Sequence, residues 1–111
     1  SSTTTFSSPG RQQFHPSAAK LAGTAADDGT LETASDYNVT SVSKSSTGVY
    51  VWTIATDFSA SDVYQVIGCS RDTAYVFMSD TLTTGTFTVR MTNLSNARVD
   101  TRHSVVCYGD Q

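Results

Sequence analysis

Apolar side chains occupy every second position in a succession of short segments that runs from about residue 38 to the end of the chain. The clearest segment is TFTVRM at 86–91, where Phe87, Val89 and Met91 share one face and the polar residues between them share the other. This alternation is typical of a strand with one face in a core and one in water, because neighbouring side chains of a strand point to opposite faces. No comparable stretch repeats at helical spacing.

Turn signals separate these segments at regular intervals. They are Asp27-Asp28-Gly29, the hydroxyl-rich stretch 45–48 that ends in Gly48, and the polar stretch 93–96. Seven or eight short strands with this spacing predict an all-β fold, a single small antiparallel β-sandwich of the jelly-roll type. Segment 63–69 has apolar residues on both faces, which predicts a central position in its sheet.

The predicted core consists of the large apolar residues that the alternation places on one face of each strand. Each contributes about 1.5–3 kcal/mol when fully buried, so the set suffices for one small domain. These residues are Val42, Tyr50, Trp52, Ile54, Val66, Val76, Phe87, Val89, Met91, Val106 and Tyr108.

The beginning of the chain differs from the rest. Residues 1–8 are mostly Ser and Thr, Pro9-Gly10 is a turn signal, and 11–16 has no clean period. We therefore expect an extended N-terminal arm or connector over 1–17 and the β-sandwich domain over 18–111.

Composition and charge narrow the range of partners. The chain has 111 residues, of which 38% are hydrophobic and only 15% charged, and its formal net charge is −3. A nucleic-acid partner needs a basic face, and the seven basic residues form no patch. No apolar run is long enough for a membrane span, so we expect no membrane insertion. Few charges and many strand edges favour self-association.

Two cysteines, Cys69 and Cys107, lie near the ends of predicted strands. A disulfide requires their Cα atoms to be within about 7 Å of each other. Two buried free thiols are the alternative, which we favour because two cysteines are few for a scaffold that depends on disulfides.

Catalytic and metal-binding patterns are not indicated. The two histidines, His15 and His103, lie near no nucleophile motif, and we expect each to be a surface or interface imidazole. The spacing of His and Cys matches no zinc pattern, and most Asp residues fall at predicted turns, where they bond to their own backbone. The sequence predicts a protein that is not an enzyme and uses no cofactor and no metal.

With catalytic and metal-binding patterns not indicated, binding through exposed loops is the remaining class of function. Aromatic residues at predicted loops and strand ends, with charged neighbours for hydrogen bonding, are candidates for contact with a sugar or a protein surface. The candidate receptor contacts are Asp57, Phe58, Arg71, Asp72 and Tyr75. Tyr75 has a second interpretation as a core residue, because VFM follows it.

Several segments also resemble a known family. They are PGRQQFHPSAAK at 9–20, YNVTSV at 37–42, TGVY at 47–50, GTFTVR at 85–90 and VVCYGDQ at 105–111. In their order and spacing they resemble the C-terminal domain of tail fibre or receptor-binding proteins of tailed bacteriophages. Two positions depart from that pattern: LAG follows Lys20 where an aromatic residue is common, and Cys107 stands where an aliphatic or aromatic residue is common.

The resemblance implies a β-sandwich knob at the end of a viral fibre. Such a knob is usually a homotrimer on the outside of the virion, attaches the particle to a glycan or protein receptor on the bacterial surface, and joins other virion proteins through its N-terminal side. Two alternatives stay open: a purely structural virion component, such as a head fibre, decoration or connector domain, and a carbohydrate-binding module.

Overall fold

The computed structural model describes residues 19–33, 36–72 and 75–109, and within them the secondary structure is strands and turns. The seven strands are antiparallel to their neighbours. They are β1 (Ala19–Ala25), β2 (Val39–Ser46), β3 (Val49–Ile54), β4 (Tyr64–Ser70), β5 (Val76–Leu82), β6 (Thr86–Thr92) and β7 (His103–Gly109). The all-β prediction with seven or eight antiparallel strands is thus confirmed. The predicted arm, 1–17, lies outside the described residues.

The strands form two sheets that pack as a sandwich. One has three strands in the order β1-β7-β4, and the other has four in the order β2-β3-β6-β5. Strand β6 behaves as its alternation predicted, with Phe87, Val89 and Met91 buried and the residues between them partly exposed. The central position predicted for segment 63–69 is wrong, because β4 is an edge strand. Its second apolar face is solvent-exposed, and Ile67 retains 58% of its accessible surface.

Most of the predicted core is confirmed. Tyr50, Trp52, Ile54 and the three β6 residues are buried, while Val42 and Val66 are partly buried and pack against them. Further buried apolar residues are Leu21, Ala25, Val49, Phe58, Tyr64, Val105 and Cys107.

Three predicted core residues do not belong to the core. Val76 on the edge strand β5 is 45% exposed. Val106 and Tyr108 lie on the outer face of β7, because this strand directs Val105 and Cys107 inward instead. Both faces of β7 carry apolar residues, so its alternation alone does not distinguish inside from outside.

The predicted turns at 27–29 and 45–48 are confirmed by backbone geometry. Gly29 and Gly48 have φ of 89° and 69°, in the left-handed region that favours glycine. Gly48 closes the β2–β3 hairpin, where a Cβ would lie 2.6 Å from the carbonyl oxygen of Met91. Any larger residue would therefore both strain this turn and push it away from the backbone of Met91 and Val99.

Both cysteines are free thiols, as favoured. Cys107 is buried, and burial raises the pKa of its thiol to about 12. Cys69 is exposed on the outer face of β4, so the expectation that both thiols are buried holds only for Cys107. Among residues 19–33, 36–72 and 75–109, no helix has the length and apolar character needed to cross a membrane.

Candidate binding surfaces

The five predicted receptor contacts do not form one site. Phe58 is only 2% exposed and its ring stacks on Tyr64, with centroids 4.0 Å apart and planes 7° apart. Its backbone N–H donates to the Thr84 carbonyl at 2.9 Å, which holds this loop against the β5–β6 turn. Phe58 is therefore a core residue, unavailable to a receptor.

The four remaining candidates are divided between the two ends of β4. Asp57 is exposed next to Gly85 at the end where this strand begins. Arg71 and Asp72 are exposed at the opposite end, about 20 Å away along seven residues of strand. Tyr75 is partly buried and packs against the core, which favours its second interpretation.

The charged groups of Arg71 and Asp72 bond to the start of β7 rather than point freely into solvent. The Arg71 Nη1 donates to Ser104 Oγ at 3.0 Å, and the backbone N–H of Arg102 donates to Asp72 Oδ2 at 3.3 Å. Both residues thus act in part as structural links between β4 and β7.

His103 is the clearest correction to the sequence-based expectations. Its side chain is completely buried instead of lying at a surface. Trp52 Nε1 donates to His103 Nε2 at 3.2 Å, and His103 Nδ1 is 3.1 Å from the carbonyl oxygen of Thr101. These partners require a neutral imidazole with its proton on Nδ1. Burial lowers the pKa of His103, which favours the same neutral form.

The outer face of the four-stranded sheet contains a shallow groove. It has a volume of about 380 Å³ and lies between the β5 edge, β6 and the turn that follows β6. Val76 pairs with Thr92 and Met78 pairs with Arg90 across the two strands, so these side chains form its floor. The residues that line the groove are Val76, Met78, Arg90, Thr92, Asn96 and Arg98.

The turn that forms one wall of this groove is fixed by its own hydrogen bonds. The Asn93 Oδ1 accepts from the backbone N–H groups of Ser95 and Ala97, at 2.9 and 3.0 Å. Asn96 has a φ of 65°, a left-handed conformation that Asn tolerates, and an antiparallel bridge joins Arg98 to Thr92. The groove wall is therefore preorganised against the sheet.

The two arginines of the groove differ in their surroundings. Arg90 Nε donates to Asp80 Oδ2 at 2.7 Å, which neutralises its charge. Arg98 is exposed and forms no ion pair with any carboxylate of the described residues, whereas Lys44 and Arg102 pair with Asp100 and Glu32. The groove thus presents one uncompensated positive charge beside an apolar floor.

The outer face of the three-stranded sheet has the opposite character. Side chains of directly opposed residues project to the same side, so Tyr37, Ala22, Val106 and Ile67 form one apolar row across β1, β7 and β4. None of the outward residues of these strands that are named next is charged, and the Arg71 guanidinium reaches this surface only at Ser104. The outward residues are Ala22, Thr24, Gln65, Ile67, Cys69, Ser104, Val106 and Tyr108. We call this surface the charge-free face.

Sequence reasoning missed both surfaces. The groove combines strand residues with a turn about 20 residues away, and that proximity depends on the β5–β6 pairing. The charge-free face did leave a signal, because apolar residues on both faces of β4 and β7 are unusual for strands that face water on one side. That signal was interpreted as a central position in the sheet.

Metal-ligating residues do not cluster in the part of the chain that the structure describes: no group of three or more His, Cys, Asp or Glu is placed to hold an ion. Comparisons with models of protein families, with curated proteins and with solved structures found no match.

Proposed function

We propose that this chain is the terminal domain of a bacteriophage fibre, which attaches the particle to the bacterial surface as a homotrimer and catalyses no reaction. The phage assignment rests on the resemblance of the five sequence segments. The all-β sandwich is compatible with it, since a knob of this kind needs a rigid scaffold rather than an active site.

The observation that carries the binding part of this proposal is the groove. Its volume lies within the range of about 300–1,000 Å³ that is common for ligand sites. Its floor is a hydrogen-bonded sheet and its wall is a turn held by Asn93, so little backbone conformational entropy is lost when a ligand binds. Such a surface suits recognition of a small exposed group on a larger receptor.

The charge-free face supports the homotrimeric part. Interface cores are depleted in charged residues, and the outward strand positions of this face carry none; the guanidinium of Arg71 reaches the face only at its Ser104 end. We propose that it contacts other copies of this chain. A trimer then presents three grooves on one particle, and several weak contacts give a much stronger attachment than one.

The test is binding of the purified, fluorescently labelled protein to a panel of bacterial strains and their extracted surface polysaccharides, with a heat-unfolded sample as control. We expect saturable binding to a subset of strains, inhibited by the unlabelled protein. Binding to none of them would refute attachment.

The charge-free face also favours the second candidate, a structural virion component. In that case the protein would associate with itself and with particles while binding no bacterium. The cell-binding assay separates the two candidates. Sedimentation velocity on the same sample tests the trimer, because a folded monomer that binds cells would contradict the trimer alone.

A further inference from the structure

We infer that the groove between β5, β6 and the 93–98 turn is the receptor site, and that it takes an acidic sugar whose carboxylate pairs with Arg98. The inference rests on the proposed attachment function and names the ligand class for it. A hexuronic-acid residue of a bacterial surface polysaccharide is the occupant to which it commits.

The positive charge of the groove favours an anionic ligand. The protein carries a formal net charge of −3, yet the groove is lined by two arginines and no carboxylate. Asp80 compensates Arg90, which leaves the guanidinium of Arg98 without a carboxylate partner among the described residues. A planar guanidinium offers two parallel N–H donors that match the two oxygens of a carboxylate. One uncompensated guanidinium therefore fits a ligand with one negative charge.

The other residues that line the groove favour a sugar ring. Val76 and Met78 are 45% and 47% exposed, and they provide an apolar surface on which the C–H face of a pyranose ring can lie. Thr92 on the floor and Asn96 on the wall add a hydroxyl and a carboxamide, which both donate and accept hydrogen bonds. An apolar patch with polar groups beside it suits a sugar ring, which has an apolar face and a rim of hydroxyls.

The side chains of Asn96 and Arg98 make none of the hydrogen bonds described above that fix the turn. Asn93, rather than Asn96, makes the side-chain hydrogen bonds that fix the turn. Arg71, the other exposed arginine without an ion pair in the described part of the chain, bonds to Ser104 instead. Arg98 thus combines a free charge with a fixed backbone position.

The test is an NMR titration of the ¹⁵N-labelled protein with trisaccharides of galacturonate, glucuronate and mannuronate. The methyl ester of each trisaccharide is the matched ligand control, because it keeps the sugar and removes the charge. We expect at least one acid to shift resonances of Thr92, Asn96 and Arg98. Its methyl ester should bind roughly tenfold more weakly, as expected when a charge-assisted hydrogen bond is lost.

Three variants locate the site. R98Q removes the free charge and M78E places a like charge on the floor, and we expect each to weaken acid binding by roughly tenfold or more. R71Q is the matched control, an exposed arginine outside the groove, and it should leave binding within about twofold of the unsubstituted protein. Unchanged thermal unfolding of each variant shows that it is folded.

Several results would overturn the inference. They are binding of none of the three acids, equal binding of acids and esters, or a loss of binding in R71Q but not in R98Q and M78E. Preferential binding of glycerol phosphate over the uronates would also overturn it, because it would assign the groove to a phosphate-bearing polymer. In each case attachment to cells survives as a function if the protein still binds bacteria, so the two proposals fail separately.

Discussion

Acidification is expected to destabilise this domain through one buried group, His103. The folded state holds its ring neutral, because Nε2 accepts from Trp52 while Nδ1–H donates to the Thr101 carbonyl. A second proton would set two donors, the imidazolium Nε2–H and the indole N–H, against each other. The pKa of His103 is lowered from 6.5 in the folded chain, with burial as the first cause.

Proton linkage gives the sign and size of this dependence of the unfolding free energy on pH. Above pH 6.5 both folded and unfolded chains have a neutral ring, and the free energy of unfolding does not depend on this group. As the pH falls below 6.5, the unfolded chain takes up the proton first, and stability is lost until the pH passes the lowered folded-state pKa. One such group contributes a slope of at most about 1.4 kcal/mol per pH unit. That slope is large for a domain with about 5–15 kcal/mol of stability.

Urea unfolding followed by the fluorescence of Trp52, measured at intervals from pH 8 to pH 5, tests this expectation. Carboxylates interfere little in this window, because the pKa values of Glu32 and Asp100 are lowered from 4.5 and 3.8 by their partners Arg102 and Lys44. Their own contributions are lost only at lower pH. The variant His103→Gln keeps hydrogen-bonding groups but does not titrate, so it serves as the control. Equal slopes in both proteins would refute the assignment.

Three further predictions concern stability and assembly. Trp52→Phe leaves the His103 Nε2 without its donor and reduces packing, so we expect a loss of about 3–5 kcal/mol and a shallower dependence on pH, measured by urea unfolding followed by circular dichroism because Trp52 is the only tryptophan of the chain. Gly68→Ala places a Cβ too close to the nearest atom of the phenylalanine ring that packs on it from β5. We expect the free energy of unfolding to fall by about 1–3 kcal/mol, measured in the same way. Ile67→Lys should lower the sedimentation coefficient of the oligomer while the matched Thr88→Lys on the other sheet does not; equal effects would contradict subunit contact through the charge-free face.

The accuracy of the fold prediction depended on how completely each strand separates apolar and polar residues between its two faces. In β6, apolar and polar residues alternate strictly, so the inward face was identified correctly. In β7, Val105 and Cys107 compete with Val106 and Tyr108 for the inward position, and period-two alternation cannot decide between two apolar sets. The choice was made by packing against the other sheet, which a single sequence does not reveal.

Polar residues in the core were the harder case. His103 lies in β7 and its donor Trp52 lies in β3, in the opposite sheet and 51 residues earlier in the chain. Sequence reasoning treats an isolated histidine near a strand as a surface group, because an unpaired buried imidazole is costly. Only the pairing of the two sheets shows that its partner is present. Phe58 was taken for an exposed loop residue in a similar way, because its stacking partner Tyr64 lies beyond the loop that carries it.

The two outer surfaces have opposite orientations, and this is what makes the two proposals compatible. Because the sheets pack face to face, the charge-free face and the groove point away from each other on opposite sides of the sandwich. A trimer that covers the face bearing Ile67 and Val106 leaves the groove beside Arg98 open to solvent. The proposed self-association would therefore not compete with the proposed receptor binding, and its loss should reduce attachment through avidity while the affinity of each groove stays the same.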